Sequence, residues 1–368
     1  MMQRKEYLKN IKRIIIKAGT SSLTDKGVIS QEKIRRLVDD AAKLIGRGYQ
    51  IVIVTSGAIS AGAGALGKDR GNLTIPERQA LASVGQVLLL NEYRLCFAEK
   101  GRIIGQVLLT EDDIKNRRRF LNGRNTIESL LSMGIIPIVN ENDTVAVDEI
   151  KFGDNDTLSA HVACLIDAQL LIILSDVDGF FWDMGDEKPM EKIEKIVPEI
   201  SERAGDAGSI GGTGGMVTKL RAAEFMLGLG EKMIIAKSSE NVLNRIMDGE
   251  NVGTIFCGYN KRLTGKKRWL SLNKPKGVLT LDSGAVNAIC NGKKSLLASG
   301  IIRCAGEFDM GETVNIEDDS GRLLGRGIVN YKSRELEHII GKSTKEIKKI
   351  LGGTFYDEAV NRDNLILF

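Results

Sequence analysis

Arg13-Ile14-Ile15-Ile16-Lys17-Ala18-Gly19-Thr20-Ser21 sets three consecutive isoleucines in front of a lysine and a run of small residues. β-Branched residues favour extended backbone, and an apolar run without alternation suits a strand covered on both faces. A lysine ending such a strand is costly to bury unless an anion meets it, whereas small residues let the backbone come close to a ligand. The stretch therefore predicts a parallel strand that delivers a cation and a tight turn to its carboxyl end, the edge at which open α/β sheets bind ligands.

The pattern recurs along the chain. Ile51–Thr55 (IVIVT) runs into Ser56-Gly57-Ala58-Ile59, and further apolar runs stand at Ile103–Leu109, Ile135–Val139, Leu170–Leu174 and Lys232–Ala236, each separated by room for a helix. Helical spacing marks Gln31–Arg47, with Gly46 and Gly48 as its stop, and Met216–Leu227. The expected fold is α/β, a three-layer sandwich with a mostly parallel central sheet. From Asn251 to Leu281 no acidic residue occurs, while Lys261, Arg262, Lys266, Lys267, Arg268, Lys274 and Lys276 accumulate. Beyond this basic stretch, Gly277–Leu281, Ile301–Arg303, Thr313–Ile316 and Gly327–Tyr331 read as short strands in a small β-rich domain. The expected division is a large domain over 1–260, a linker over 261–275, the small domain over 276–353 and a tail over 354–368.

Composition removes several function classes. The chain has 368 residues, 42% of them hydrophobic and 27% charged, with 41 glycines against five prolines. That suits a folded protein with many close backbone approaches. Two histidines, His161 and His338, are too few for a three-His zinc site, and a Ser-His-Asp triad is an unpromising reading. Five cysteines, widely spaced and never in C-x-x-C, fit neither a disulfide framework nor a zinc ribbon and point to a reducing cytoplasm. A net charge of +4 gives no chain-wide nucleic-acid footprint, and no apolar run is long enough for a membrane helix.

Three stretches look like phosphate motifs. Gly62-Ala-Gly64-Ala-Leu-Gly67 has dinucleotide spacing but begins well past the strand end at Thr55, so close packing or a helix end is the better reading. Gly341-Lys342-Ser343-Thr344 lacks the upstream glycine of a P-loop and reads as a helix end followed by a cap for the next helix. The run from Gly211 to Lys219, GGTGGMVTK, is different: a flexible loop feeds a helix start, so backbone N–H groups, hydroxyls and Lys219 can converge on an anion. A plain surface loop is the competing reading.

Two further segments are dense in acids and amides: Asn140-Glu141-Asn142-Asp143 and Gly153-Asp154-Asn155-Asp156-Thr157. After strand ends they suit recognition of an ammonium group and orientation of lysines, although Asx turns and helix caps use the same residues.

On these residues the chain resembles the amino acid kinase family in the form that carries a C-terminal PUA domain. Matching stretches include IIIKAGTSSL, IVIVTSGAISAG, PIVNENDTVAV, KFGDNDTLSAHVA, IILSDVDG and GTGGMVTKLRAA, and they extend over nearly the whole chain. NENDTVAV, GDNDTLSA and GTGGMVTK together resemble the members that phosphorylate glutamate. Ala18 stands where the family often has a bulkier residue.

The resemblance implies transfer of a phosphoryl group from ATP, with Mg²⁺, to the γ-carboxylate of L-glutamate, giving glutamyl 5-phosphate at the start of proline biosynthesis, with proline as feedback inhibitor. It implies that Lys17 and Lys219 contact the moving phosphoryl group and that Asp156 orients them. Ser56, Asp143 and Asn155 would bind glutamate, with Asp154 and Asn140 nearby. Lys17, Gly19, Ser175, Asp176, Thr213, Gly214, Gly215, Met216, Val217, Thr218 and Lys219 would line the nucleotide side. A homo-oligomer is a further expectation. Two rival readings stay open: another acidic substrate such as aspartate or N-acetylglutamate, and an RNA-binding protein with an α/β scaffold. In residues 274–353, 13 Lys/Arg face 10 Asp/Glu, a weak surplus for RNA.

Overall fold

The computed structural model describes the chain apart from residues 1–3, 26, 70, 72, 146–154, 184, 207–214, 259–274, 293, 351–355 and 368, and the side chains of 117, 118, 205, 206, 344, 345 and 348. The chain divides into two units, Met1–Arg262 and Leu263–Phe368.

The first unit begins with α1 (Arg4–Tyr7), β1 (Arg13–Ala18), a two-stranded ribbon of β2 (Thr24–Asp25) and β3 (Val28–Ile29), α2 (Gln31–Gly46) and β4 (Gln50–Thr55). It continues with α3 (Ala58–Ala65), α4 (Ile75–Ala98), β5 (Ile104–Leu109), α5 (Glu111–Lys115), α6 (Arg117–Ser132), β6 (Ile136–Glu141), α7 (Asn155–Leu165) and β7 (Leu170–Ser175). It ends with β8 (Lys192–Ile193), α8 (Pro198–Asp206), α9 (Met216–Gly228), β9 (Lys232–Lys237), α10 (Val242–Met247) and β10 (Thr254–Phe256). Eight strands form one sheet in the order β5-β6-β4-β1-β7-β9-β10-β8. The order places β1 between β4 and β7, both parallel to it. Only at the far edge does direction change, where β10 runs antiparallel to β9 and pairs in parallel with β8.

Coverage of both faces explains the unbroken apolar runs. Ile14, Ile16 and Ala18 pack with Leu37 and Val38 of α2, Tyr93 and Phe97 of α4 and Leu243 of α10. Alternation turns Ile15 and Lys17 to the opposite face, where α7 and α9 pack together. Gly48, at φ +92°, ends the turn after α2 as its sequence suggested.

The Gly62-x-Gly64-x-x-Gly67 stretch is packing, as its position past the strand end indicated. It lies in α3 and the turn after it, and a Cβ at Gly62 would stand 2.0 Å from the Leu81 carbonyl oxygen of α4. A Cβ at Gly85 of α4 would stand 1.8 Å from the Ala58 carbonyl oxygen of α3. The two helices therefore cross backbone to backbone, a distance only glycine permits. Gly67, at φ +61°, follows the end of α3.

The second unit has a five-stranded sheet of β11 (Gly277–Leu281), β12 (Ile301–Gly306), β13 (Thr313–Glu317), β14 (Leu323–Ile328) and β15 (Leu365–Leu367), in the order β12-β11-β13-β14-β15. Only β11 and β13 are parallel. The fourth strand lies earlier than the Gly327–Tyr331 reading. Val329 and Tyr331, which suggested that reading, are buried core residues just beyond it. Within the stretch read as a tail, Leu365–Leu367 pair with β14, and Ala359, Val360 and Leu365 belong to the same core. Ser343 precedes the helix Thr344–Ile350, its N–H and hydroxyl both donating to Glu346 at 2.8 and 2.7 Å, which is a cap and not a P-loop. The linker read over 261–275 lies outside the described residues except for its last position.

Candidate active site

Lys17 ends β1 on the face that α7 and α9 cover, and its Nζ lies 2.6 Å from Oδ1 of Asp156. The other carboxylate oxygen of Asp156 lies 3.2 Å from Nζ of Lys219 and accepts the Thr218 hydroxyl at 3.0 Å. All three charged side chains are removed from water: Lys17 is 9% exposed, Lys219 8% and Asp156 0%. Burial alone would raise the Asp156 carboxyl pKa. The ammonium groups of Lys17 and Lys219, with hydrogen bonds from Lys17 and Thr218, outweigh it and hold the group below the usual carboxylate range. The trio carries a formal +1 charge, so an anionic group is the ligand this corner favours.

Sequence alone explains how the corner forms. β1 carries Lys17 to the carboxyl end of the strands, α7 opens with Asn155 and Asp156, and α9 places Thr218 and Lys219 in its first turn. Among the described residues no side chain caps α9, which starts after Gly215, and a helix start of this kind suits an anion. At Gly19 a Cβ would stand 3.4 Å from the Leu174 carbonyl and 3.5 Å from Lys17 Nζ, which places this turn directly beside the lysine.

The adjoining corner is built of amides. Asn155 Nδ2 lies 2.5 Å from the Thr55 carbonyl, 3.0 Å from Ser56 Oγ and 2.8 Å from Asn140 Oδ1. Asn140 also receives the Glu141 N–H at 2.9 Å and donates its own Nδ2 to Gln86 Oε1 at 2.6 Å. Behind them the buried Tyr93 hydroxyl sits 3.1 Å from Thr55 Oγ1. Gly57, at φ +94°, makes the turn from Ser56 into α3. Asp143 lies half-buried just beyond β6.

Of the residues singled out from sequence, Lys17, Asp156, Thr218 and Lys219 come together in one cluster and Ser56, Asn140 and Asn155 in its neighbour. Ser175 and Asp176, joined by a 3.0 Å hydrogen bond, line a cavity of about 160 Å³ with Ser21, Lys33 and Lys237. Met216 and Val217 open α9. Asp154, Thr213 and Gly214 lie outside the described residues. Gln86, Thr55 and Tyr93 were missed. Gln86 and Tyr93 sit on a helix that exposes Val84, Val87, Leu88 and Leu95 and so shows no single apolar stripe, and the one cue to Gln86 was a polar residue within the run ASVGQVLLL. His161, in the turn after Asp156, is half-buried edge-on against Phe225 at 5.2 Å, and desolvation followed by the Lys115 charge lowers its pKa to about 4.

Among the described residues, no group of three or more His, Cys, Asp or Glu side chains gathers to hold a metal ion. Nor is any described helix long and apolar enough to cross a membrane.

The sequence matches the amino acid kinase family model over residues 12–237 and the PUA domain model over residues 277–351. The glutamate 5-kinase of Thermoanaerobacter sp. (strain X514) is 46% identical over 362 residues, covering 96% of this chain and 97% of the relative. That of Dictyoglomus thermophilum is 46% identical over 361 residues, 97% of each. A structure of Giardia carbamate kinase aligns at 18% identity and a TM-score of 0.49, over 68% of this chain and 100% of its own. By a family match across more than half its length and relatives this similar from end to end, the chain belongs to the amino acid kinase family, whose members are phosphotransferases, and it carries a PUA domain as well.

Proposed function

We propose that the chain transfers the γ-phosphoryl group of ATP to the γ-carboxylate of L-glutamate, forming L-glutamyl 5-phosphate for proline biosynthesis in the cytoplasm. The observation that carries this reading is the buried Asp156 carboxylate held between Lys17 and Lys219. Phosphoryl transfer asks little covalent chemistry of a protein beyond bringing two anions together and neutralising the charge that develops between them. A glutamate carboxylate is already a nucleophile at neutral pH, so no general base is needed, in keeping with a histidine committed to helix packing.

In this reading Asp156 keeps both ammonium groups aimed at one point. Lys17 and Lys219 meet the phosphoryl oxygens, aided by the Gly19 turn and the uncapped amides that begin α9. Ser56, Asn155 and Asp143 hold the amino-acid head group, with Asn140 fixing Asn155, and Asp154 adds to that side. Ser175, Asp176 and the run from Thr213 to Lys219 border the nucleotide. Mg²⁺, when bound, neutralises phosphate charge further. The donor set fits an ion carried in on the phosphates, since the described residues build no dedicated cage.

Glutamate 5-kinase is the name of the relatives that match from end to end, and this supports glutamate over other acidic substrates. The test is ADP release with L-glutamate, L-aspartate and N-acetyl-L-glutamate in parallel. Turnover with glutamate at least about 100-fold above the others, in kcat/KM, is expected, since a buried polar site that loses its partners discriminates strongly. Preference for either rival would overturn the assignment. Proline, which shares the amino-acid head group, is expected to inhibit, and the Asn155→Ala variant to change its potency.

A further inference from the structure

We propose that Gln86, on α4, is a positioning residue that fixes the polarity of the amide corner and thereby sets affinity for the amino-acid substrate, an inference that rests on the glutamate reading above. An amide side chain can sit either way round, and its neighbours decide which end donates. Asn140 is only 2% exposed, so an unpaired nitrogen there would be costly. Its Nδ2 finds the Gln86 carbonyl at 2.6 Å, which leaves Oδ1 for the Glu141 N–H at 2.9 Å and for Asn155 at 2.8 Å. Asn155 must then present its nitrogen, and the same nitrogen reaches Thr55 O and Ser56 Oγ. Its carbonyl oxygen is then the end that can accept from an ammonium group. Polarity thus runs from Gln86 through Asn140 to Asn155.

The backbone around Gln86 is equally constrained. Gly85, its neighbour, is pressed against Ala58 at the start of α3, and α3 begins directly after Ser56 and Gly57. A single helix crossing therefore fixes Gln86 relative to the turn that carries Ser56. Tyr93, two helical turns along α4, reaches Thr55 at the same strand end.

The test uses the full chain with Gln86→Leu, which removes the acceptor, and Gln86→Glu, which keeps one. Gln86→Leu should raise the glutamate KM about tenfold, the equivalent of ~1.4 kcal/mol, and leave the ATP KM and kcat within about twofold. Gln86→Glu should recover most of the loss. In an Asn140→Leu background the Gln86→Leu change should add less than about twofold, because its effect passes through Asn140. Should the leucine variant fail to fold, Gln86→Met removes the acceptor with a more adaptable side chain. The side-chain amide NMR signals of Asn140 and Asn155 provide a readout free of substrate and should shift in the leucine or methionine variant. An unchanged glutamate KM in a folded variant, equal rises in both KM values, or additivity with Asn140→Leu would overturn the proposal. If the wild-type chain ignores glutamate while the amide signals still shift, the substrate reading alone falls; unshifted signals remove the role of Gln86.

Discussion

Asn155 and Asp156 are consecutive residues at the start of α7, yet they stand in opposite kinds of surroundings. Asp156 is a buried charge held by two other buried charges, while Asn155 is a neutral amide among a carbonyl, a hydroxyl and another amide. The charged corner has strong interactions that become unfavourable if one member is lost. The amide corner has directional contacts of modest energy, each worth about 0.5–1.5 kcal/mol. Charge serves where charge develops during a reaction, and amides serve where a neutral, oriented fit must select a ligand. On the function proposed above, rate and recognition would then be divided within one turn of helix.

The severest test of that separation is Asp156→Ala, which leaves two ammonium groups buried without their shared carboxylate. A loss of about 3–5 kcal/mol is expected in urea unfolding, along with loss of turnover. Because the folded Asp156 carboxyl lies below its ordinary value, its contribution is complete above about pH 4 and fades as pH falls through the folded value. Asp156→Asn should therefore flatten the acid limb of the stability curve, and an unchanged limb would show that the carboxylate is not the group the lysines stabilise. Next in size is Lys219→Ala, expected to lower kcat about 10²–10³-fold, or ~2.7–4 kcal/mol, with a smaller change in glutamate KM. Near-normal turnover would move Lys219 out of the charged corner's chemistry.

His161 sharpens the contrast from within the same helix, as a half-buried group held neutral. Its folded pKa of about 4 lies below the ordinary 6.5, so the unfolded chain takes up the proton first and stability drops as pH falls between those values. The drop is on the order of 3 kcal/mol, and His161→Phe should abolish it in unfolding measured from pH 7 to pH 4. The smallest effect belongs to the amide corner. Asn155→Ala should raise the glutamate KM about tenfold and leave kcat nearly unchanged, and a fall in kcat of the Lys219→Ala size would erase the division between the corners.

The sheet's centre was legible because β1, β4, β6, β7 and β9 are unbroken apolar runs covered on both faces, which writes burial directly into composition. Its far edge was less so. β8 has two residues and β10 three, too short to show any period, and the reversal of direction at β10 comes from packing rather than from its own residues. The helix α4 escaped because its apolar residues are exposed at Val84, Val87, Leu88 and Leu95 as well as buried, which gives no stripe to read, despite a capping box at Thr74 and Glu77. In the small domain, glycines at 325 and 327 weakened the strand signal of β14 and drew the reading toward Val329 and Tyr331. The strand end at Lys17, the acidic segment around Asp156 and the glycine loop before Lys219 each have a local signature, whereas their grouping around one carboxylate was implied by the family resemblance. Gln86 was not legible, since its importance lies in which end of a distant amide it meets.

The central position of β1 bears on how the chain acquires its structure during synthesis. Its partner β4 follows within 50 residues, but its other partner β7 and the helix that carries Asp156 come more than 130 residues later. Contacts of such separation form late, and the N-terminal part emerges first. Until α7 arrives, Lys17 has no carboxylate to justify leaving water, so the first strand of the sheet cannot finish docking on its own. A nascent chain lacking its middle third is therefore expected to keep the end of β1 hydrated, with the Lys17–Asp156 pair closing only once α7 has been made.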